Sequence, residues 1–154
     1  MLQEPQHRVE DLQIALAKEA DLDSVIDLLR RNELPVQGVP EHLKTFVVAK
    51  DGGKLVGCGG SEAHPHVALL RSFAVEAEYR NAGVGRRLVR ELMDRLSAHG
   101  IREFYLLTLT AETFFRKRGF KTIDRDEVHP QLLSSEEFKG ACPSTAVCMR
   151  LLMS

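Results

Sequence analysis

Val75-Glu76-Ala77-Glu78-Tyr79-Arg80-Asn81-Ala82-Gly83-Val84-Gly85-Arg86-Arg87-Leu88-Val89 joins an apolar run, Val67 to Val75, to an amphipathic one, Leu88-Val89-Leu92-Met93-Leu96. The first run suits a buried strand, and the spacing of the second places one apolar face on a helix. The order is strand, glycine-bearing turn, helix. Gly83 and Gly85 lack a Cβ, so the main chain there can curl with its N–H groups converging on one point. That point is also the positive end of the following helix, where an anion is stabilised. Arg80, Arg86 and Arg87 add charge around it, and the element reads as a diphosphate cradle. The plainer alternative is a helix start whose glycines serve only a tight turn.

The spacing argues against two commoner phosphate sites. A Walker-type loop ends in Gly-Lys-Ser/Thr, which is absent here. A dinucleotide fingerprint needs a third glycine three residues after the Gly83/Gly85 pair, where Leu88 stands. What fits is Arg-x-x-Gly-x-Gly, from Arg80 to Gly85.

Working outward, the 154 residues predict one domain with a single core: a polar tail over 1–12, then a domain over 13–154. Hydrophobic residues at 44% and charged residues at 28% are ordinary for a globular chain, and the net charge of −1 gives no electrostatic case for nucleic acid or an anionic membrane. No run approaches a membrane span and the first residues hold no apolar signal core, so a cytoplasmic location is expected. Cys58, Cys142 and Cys148 are odd in number and lack metal-like pairing, which predicts reduced thiols and no metal.

Leu12–Ala17 reads as a strand and Leu22–Asn32 as a helix with Val25, Ile26, Leu28 and Leu29 on its apolar stripe. Leu34-Pro35 ends that helix and 37–40 reads as a loop. Phe46–Lys50 and Lys54–Ser61 form a hairpin around Asp51-Gly52-Gly53. His64-Pro65-His66 turns into the strand Val67–Val75. After the long helix, Gly100 is a stop signal and Glu103–Leu109 a strand. A short helix over Ala111–Arg118, a strand over Phe120–Asp124, a helical turn near Ser134–Phe138 and a last strand over Thr145–Leu152 complete the order.

This mixed α/β order resembles that of the GNAT superfamily of N-acetyltransferases. The likeness is carried by Leu70-Arg71-Ser72-Phe73-Ala74-Val75, by the Arg80–Gly85 loop, and by Phe114-Phe115-Arg116-Lys117-Arg118-Gly119-Phe120. Asn32-Glu33-Leu34-Pro35, Tyr105-Leu106-Leu107-Thr108, Ala111-Glu112-Thr113, Ser135-Glu136-Glu137-Phe138 and Cys142-Pro143 further resemble the subgroup named for arsenic resistance, although no residue pattern here derives arsenic binding. The superfamily resemblance implies a single domain whose mostly antiparallel sheet is splayed between two central strands and flanked by helices. It also implies acetyl-coenzyme A as co-substrate. The diphosphate would meet Arg80, Asn81, Ala82, Gly83, Val84, Gly85 and Arg86, and the pantetheine arm Phe73, Ala74, Val75, Thr110 and Phe114. Homodimers are common among proteins of this kind.

Acyl transfer to an amine sets further needs. An alkylamine of pKa about 10 must lose a proton before it attacks a thioester. Glu62, just past the strand that begins at Lys54, and Glu33, in the loop after the first helix, are the candidate bases. A solvated surface carboxylate is the bland reading of each, as surface histidines are for His64 and His66. Arg71, inside an apolar strand, must face solvent, a partner or a polar cavity. Either it clamps the acid group of an amino-acid-like acceptor bidentately, with Ser72 beside it, or it forms an ion pair with Glu62. One departure from the family pattern stands out. Phe115 occupies the position where a tyrosine commonly protonates the leaving thiolate. A thiol of pKa about 8.5 leaves with little help, so transfer survives the loss. A non-catalytic acyl-coenzyme A sensor is the alternative that Phe115 favours.

Overall fold

The computed structural model describes residues 11–153. The tail expected over 1–12 therefore lies outside the described residues except for its last two, of which Leu12 is buried. Seven strands form one sheet in the order β1-β2-β3-β4-β5-β7-β6. They are β1 (Gln13–Leu16), β2 (Val47–Asp51), β3 (Lys54–His64), β4 (Val67–Val75), β5 (Glu103–Thr108), β6 (Lys121–Ile123) and β7 (Val147–Leu152). Every neighbouring pair is antiparallel except β4 and β5. The helices are α1 (Leu22–Arg31), α2 (Val39–His42), α3 (Val84–Ala98) and α4 (Glu112–Arg116). Among these, α2 corrects the loop reading of 37–40: Pro40 sits at the start of a helical turn, where its missing N–H costs nothing.

Alternation along the strands sends side chains to two faces. Val47, Ala49, Ala68 and Leu70 pack under α3, whose Leu88, Val89, Leu92 and Leu96 are buried, each worth about 1.5–3 kcal/mol of removed apolar surface. Val48 and Cys58 face the other way, against Val25, Leu28 and Leu29 of α1 and Val39 of α2. Val67 and Leu69 meet Tyr105, Cys148 and, from the segment before β7, Val128 and Leu132. Tyr105 is thus a core residue, 2% exposed. No helix among the described residues is long and apolar enough to cross a membrane.

Two irregularities shape the centre of the sheet. The parallel pairing of β4 with β5 covers only Val67–Leu69 against Glu103–Tyr105, and beyond it the strands part. On the other side of β4, Cys58 pairs with Ala74 but Gly60 with Arg71, so Ser72 and Phe73 together oppose Gly59. Ser72 takes φ +67°, a left-handed conformation rare for a serine in a strand and held here by its neighbours. A Cβ on Gly59 would stand 2.3 Å from the Phe73 ring, so only glycine lets this bulge close.

Candidate active site

Parting strands open a cavity of about 550 Å³. Its walls are Leu70–Phe73 of β4, Leu106–Thr108 of β5, the turn Leu109–Ala111 and Phe115. The loop Asn32–Gln37 and the segment Ala141–Pro143 close the far end. Main-chain groups of β4 past Leu69 have β3 on one side and this gap on the other. The strip Phe73-Ala74-Val75, expected from the sequence beside a pantetheine arm, borders the gap through Phe73. Thr110 lines it too, and Phe114 lies half-buried beside Phe115.

The turn ahead of α3 carries the geometry the glycines suggest. Asn81 and Gly83 take φ +64° and +85°, and Gly83 is the N-cap. Arg87 N–H is bound at 3.1 Å to the Gly83 carbonyl, leaving amides ahead of it at the helix start for an anion. Ala82 is exposed, Val84 is buried in the core, and Arg86 is exposed beside Gly83. Arg80 is held in place by its Nε, which donates to Val75 O at 3.0 Å, and by its Nη2, which donates to Asn32 Oδ1. One arginine therefore links the turn, the end of β4 and the loop after α1, a connection with no signal in the sequence.

Arg71 lies beneath the cavity. Its side chain has 0% exposure, so only its main chain borders the cavity. Nη1 donates to Glu62 Oε2 at 2.6 Å, Nε donates to Ser72 Oγ at 2.9 Å and stands 3.3 Å from Glu137 Oε2, and Nη2 reaches Pro35 O at 3.4 Å. The ion pair with Glu62 is thus formed, and no nitrogen is left free for bidentate capture of a ligand in this state. Glu62 opens instead on a second hollow, shared with Gly38, Glu41, His42, His64 and Ser134–Glu136. His42 Nε2 lies 3.7 Å from its other oxygen. Glu33, by contrast, lines the main cavity, exposed and at φ +57°.

Glu137 was missed by sequence reasoning, because Ser-Ser-Glu-Glu-Phe reads as a solvated turn and nothing local marks its second glutamate as buried. Burial pushes its carboxyl above the ordinary range, and the Arg71 charge pulls against that shift. Beside it, Cys142 lines the cavity, and burial raises its thiol to about 12. Cys58 and Cys148 are likewise buried free thiols, raised by burial to about 12 and about 11. Gly59-Gly60 did carry a legible signal, since paired glycines inside a strand mark a bulge. Phe115 is buried in edge contacts with Phe73, Phe114 and Phe120, and no phenol stands in its place. Among the described residues, the only carboxylates or imidazoles clustered closely enough for a metal are Asp124, Asp126 and Glu127, an exposed turn in which Glu127 accepts from the Asp124 N–H.

A seven-stranded sheet parted at its middle, with a glycine-bearing turn at the head of the helix after β4, is the architecture expected of an acyl-group transferase. Residues 42–122 match the model of the acetyltransferase (GNAT) domain. An uncharacterized N-acetyltransferase of Chlorobaculum tepidum is 34% identical over 119 residues, covering 77% of this chain and 74% of that protein. The chain belongs to the GNAT acetyltransferase family, and is an acyltransferase. The amino-acid acetyltransferase of Aeromonas salmonicida is 27% identical over 117 residues, 70% of this chain, which spans only 26% of that longer protein. N-acetylglutamate synthase of Neisseria gonorrhoeae, solved with coenzyme A and N-acetyl-glutamate, has a TM-score of 0.80 at 19% identity over 93% of this chain and 35% of its own. A Mycobacterium tuberculosis protein solved with CoA has a TM-score of 0.77 at 20% identity over 92% and 99%. At such identities these structures speak for the fold alone.

Proposed function

We propose that the chain moves an acetyl group from acetyl-coenzyme A to the primary amine of a small, amino-acid-like acceptor, by direct attack in a ternary complex. The parting of β4 from β5 carries the reading, because it opens a cavity beside the glycine turn, to which Arg80 ties the loop that holds Asn32 and Glu33. The amino-acid acetyltransferases among the relatives, and the coenzyme A and N-acetyl-glutamate held by a neighbour of the same fold, support that choice of donor and acceptor. Amides at residues 81–86 would hold the diphosphate and the β4 strip the pantetheine arm. Bound so, the donor supplies a thioester carbonyl for an amine to attack.

Each remaining task falls to a residue of the chain. An N–H of the Phe73–Val75 strip would polarise the thioester carbonyl and take up the charge that develops on its oxygen. Glu33 is the better placed base, since it lines the cavity, whereas Glu62 is held behind Arg71 and acts through it. An acceptor acid group would reach Arg71 only by displacing Pro35 O from Nη2, the longest of its hydrogen bonds at 3.4 Å, with Ser72 held at Nε. Phe115 donates no proton, so the sulfur leaves as thiolate.

Thiol release from acetyl-coenzyme A, measured against amino acids and phosphonate analogues, tests the proposal. Acceptor-dependent release with at least one is expected, and Glu33→Gln should lower kcat about 10²–10⁴-fold. Binding of the donor without acceptor-dependent release by any amine would refute the catalytic reading.

A further inference from the structure

Of the four non-glycine residues at positive φ among the described residues, Ser72 alone lies inside a strand. Glu33, His66 and Asn81 sit in turns, where a left-handed residue helps reverse the chain. A serine keeps this conformation only where its surroundings over-determine it, and such strain concentrates at working sites. The surroundings here are specific. Ser72 Oγ accepts from Arg71 Nε at 2.9 Å, and Ser72 O accepts from the Cys58 thiol at 3.3 Å. Arg71 has no room to swing away from that bond. Glu62 Oε2 holds its Nη1 at 2.6 Å, Glu137 Oε2 stands 3.3 Å from its Nε, and a Cβ on Gly38 would come within 3.0 Å of Nη1. Glu137 is fixed in turn by its own N–H, which donates to Ser135 Oγ at 3.1 Å. One carboxylate would balance the guanidinium charge, and burying a second is costly. The second carboxylate therefore serves orientation, and it stands at the nitrogen that holds Ser72.

What Ser72 controls is the strand beyond it. Ser72 and Phe73 together oppose Gly59, and a bulge of this kind re-aims the residues that follow. We infer that the Arg71–Ser72 hydrogen bond, braced by Glu62 and Glu137, is a latch that holds the β4 bulge so that an amide of Phe73–Val75 points at the thioester oxygen. The inference rests on the donor proposed above, and adds the side chains that set the direction of the polarising amide. Arg71, Ser72 and the two glutamates act through that amide and are positioning residues. Their role concerns activation of the donor, apart from any contact with the acceptor.

Infrared difference spectra of acetyl-coenzyme A, isotope-labelled at the acetyl carbonyl and bound to the full chain without acceptor, read that polarisation directly. The carbonyl band should move to lower frequency on binding to the wild type. Ser72→Ala and Ser72→Gly lack Oγ, and in both the band should return toward its position in the free donor. With any amine the wild type accepts, their kcat at saturating donor should fall about 10²-fold, the size of an ångström-scale misplacement. Ser72→Gly takes a positive φ without strain, and Glu137 Oε2 is in reach of the Nε it frees, so its Tm should stay near that of the wild type. Loss of the band shift in that variant is then not loss of fold. A wild-type band position in Ser72→Ala or Ser72→Gly, or no shift in the wild type, overturns the latch and leaves the donor reading standing. Failure of acetyl-coenzyme A to bind the wild type removes the donor reading, and the latch with it.

Discussion

Arg71→Met tests whether the buried charges hold the acceptor end together. Methionine fills most of the volume but offers no donor, so Glu62 and Glu137, exposed by only 5% and 4%, would face each other with His42 3.7 Å from Glu62. Removing one partner from a buried ion pair costs about 3–5 kcal/mol, because the desolvation of the survivor is no longer offset. Here two carboxylates survive, which puts the loss toward the upper end at neutral pH. For a domain of this length each kcal/mol lowers Tm by about 2–4 °C, so a fall of about 6–20 °C is expected. Circular dichroism melts at pH 7 and pH 4 measure it. Protonation of Glu137, whose carboxyl burial already pushes up, should shrink the difference at pH 4, and adding Glu62→Gln and Glu137→Gln to Arg71→Met should restore most of the loss at pH 7. A single variant that melts within about 2 °C of wild type at pH 7 would refute the reasoning, since then the cluster contributes nothing net.

Other consequences follow from single positions. Glu137 binds its proton more tightly folded than unfolded, so the stability it contributes is present below its ordinary value of 4.5 and lost as pH rises through the raised folded value. Glu137→Gln should therefore gain in Tm on wild type between pH 4.5 and pH 8, and a difference that stays flat or falls would contradict the raised pKa. Gly59→Ala forces a Cβ against the Phe73 ring at 2.3 Å; a loss of about 1–3 kcal/mol in urea melts is expected, together with weaker donor binding as the bulge shifts. Gly83→Ala meets only the movable end of Arg86, so strain at φ +85° should cost about 1 kcal/mol in stability, while the Kd for acetyl-coenzyme A rises more than that loss alone explains. An unchanged Kd in Gly83→Ala would count against the anion turn.

Local chemistry wrote much of this protein into its sequence. Arg80-x-x-Gly83-x-Gly85 between an apolar strand and an amphipathic helix marked the anion turn, because glycine conformations and helix ends are properties of a few adjacent residues. The Asp51-Gly52-Gly53 hairpin and the stripes of α1 and α3 were readable for the same reason. Arg71 was also legible as a problem, a cation in an apolar strand, but not its solution. Two of its partners, Glu62 and Glu137, come from β3 and from the segment before β7, and the distance between them is set by how the sheet bulges at Ser72-Phe73 and parts after Leu69. Likewise Arg86 and Arg90 of α3 and Lys117 and Arg118 just past α4 line one groove only because both helices lie on the same side of the sheet. Periodicity and turn propensity act over one or two turns of chain, whereas the pairing of buried charges depends on contacts between segments far apart in sequence, and only the packed structure fixes those.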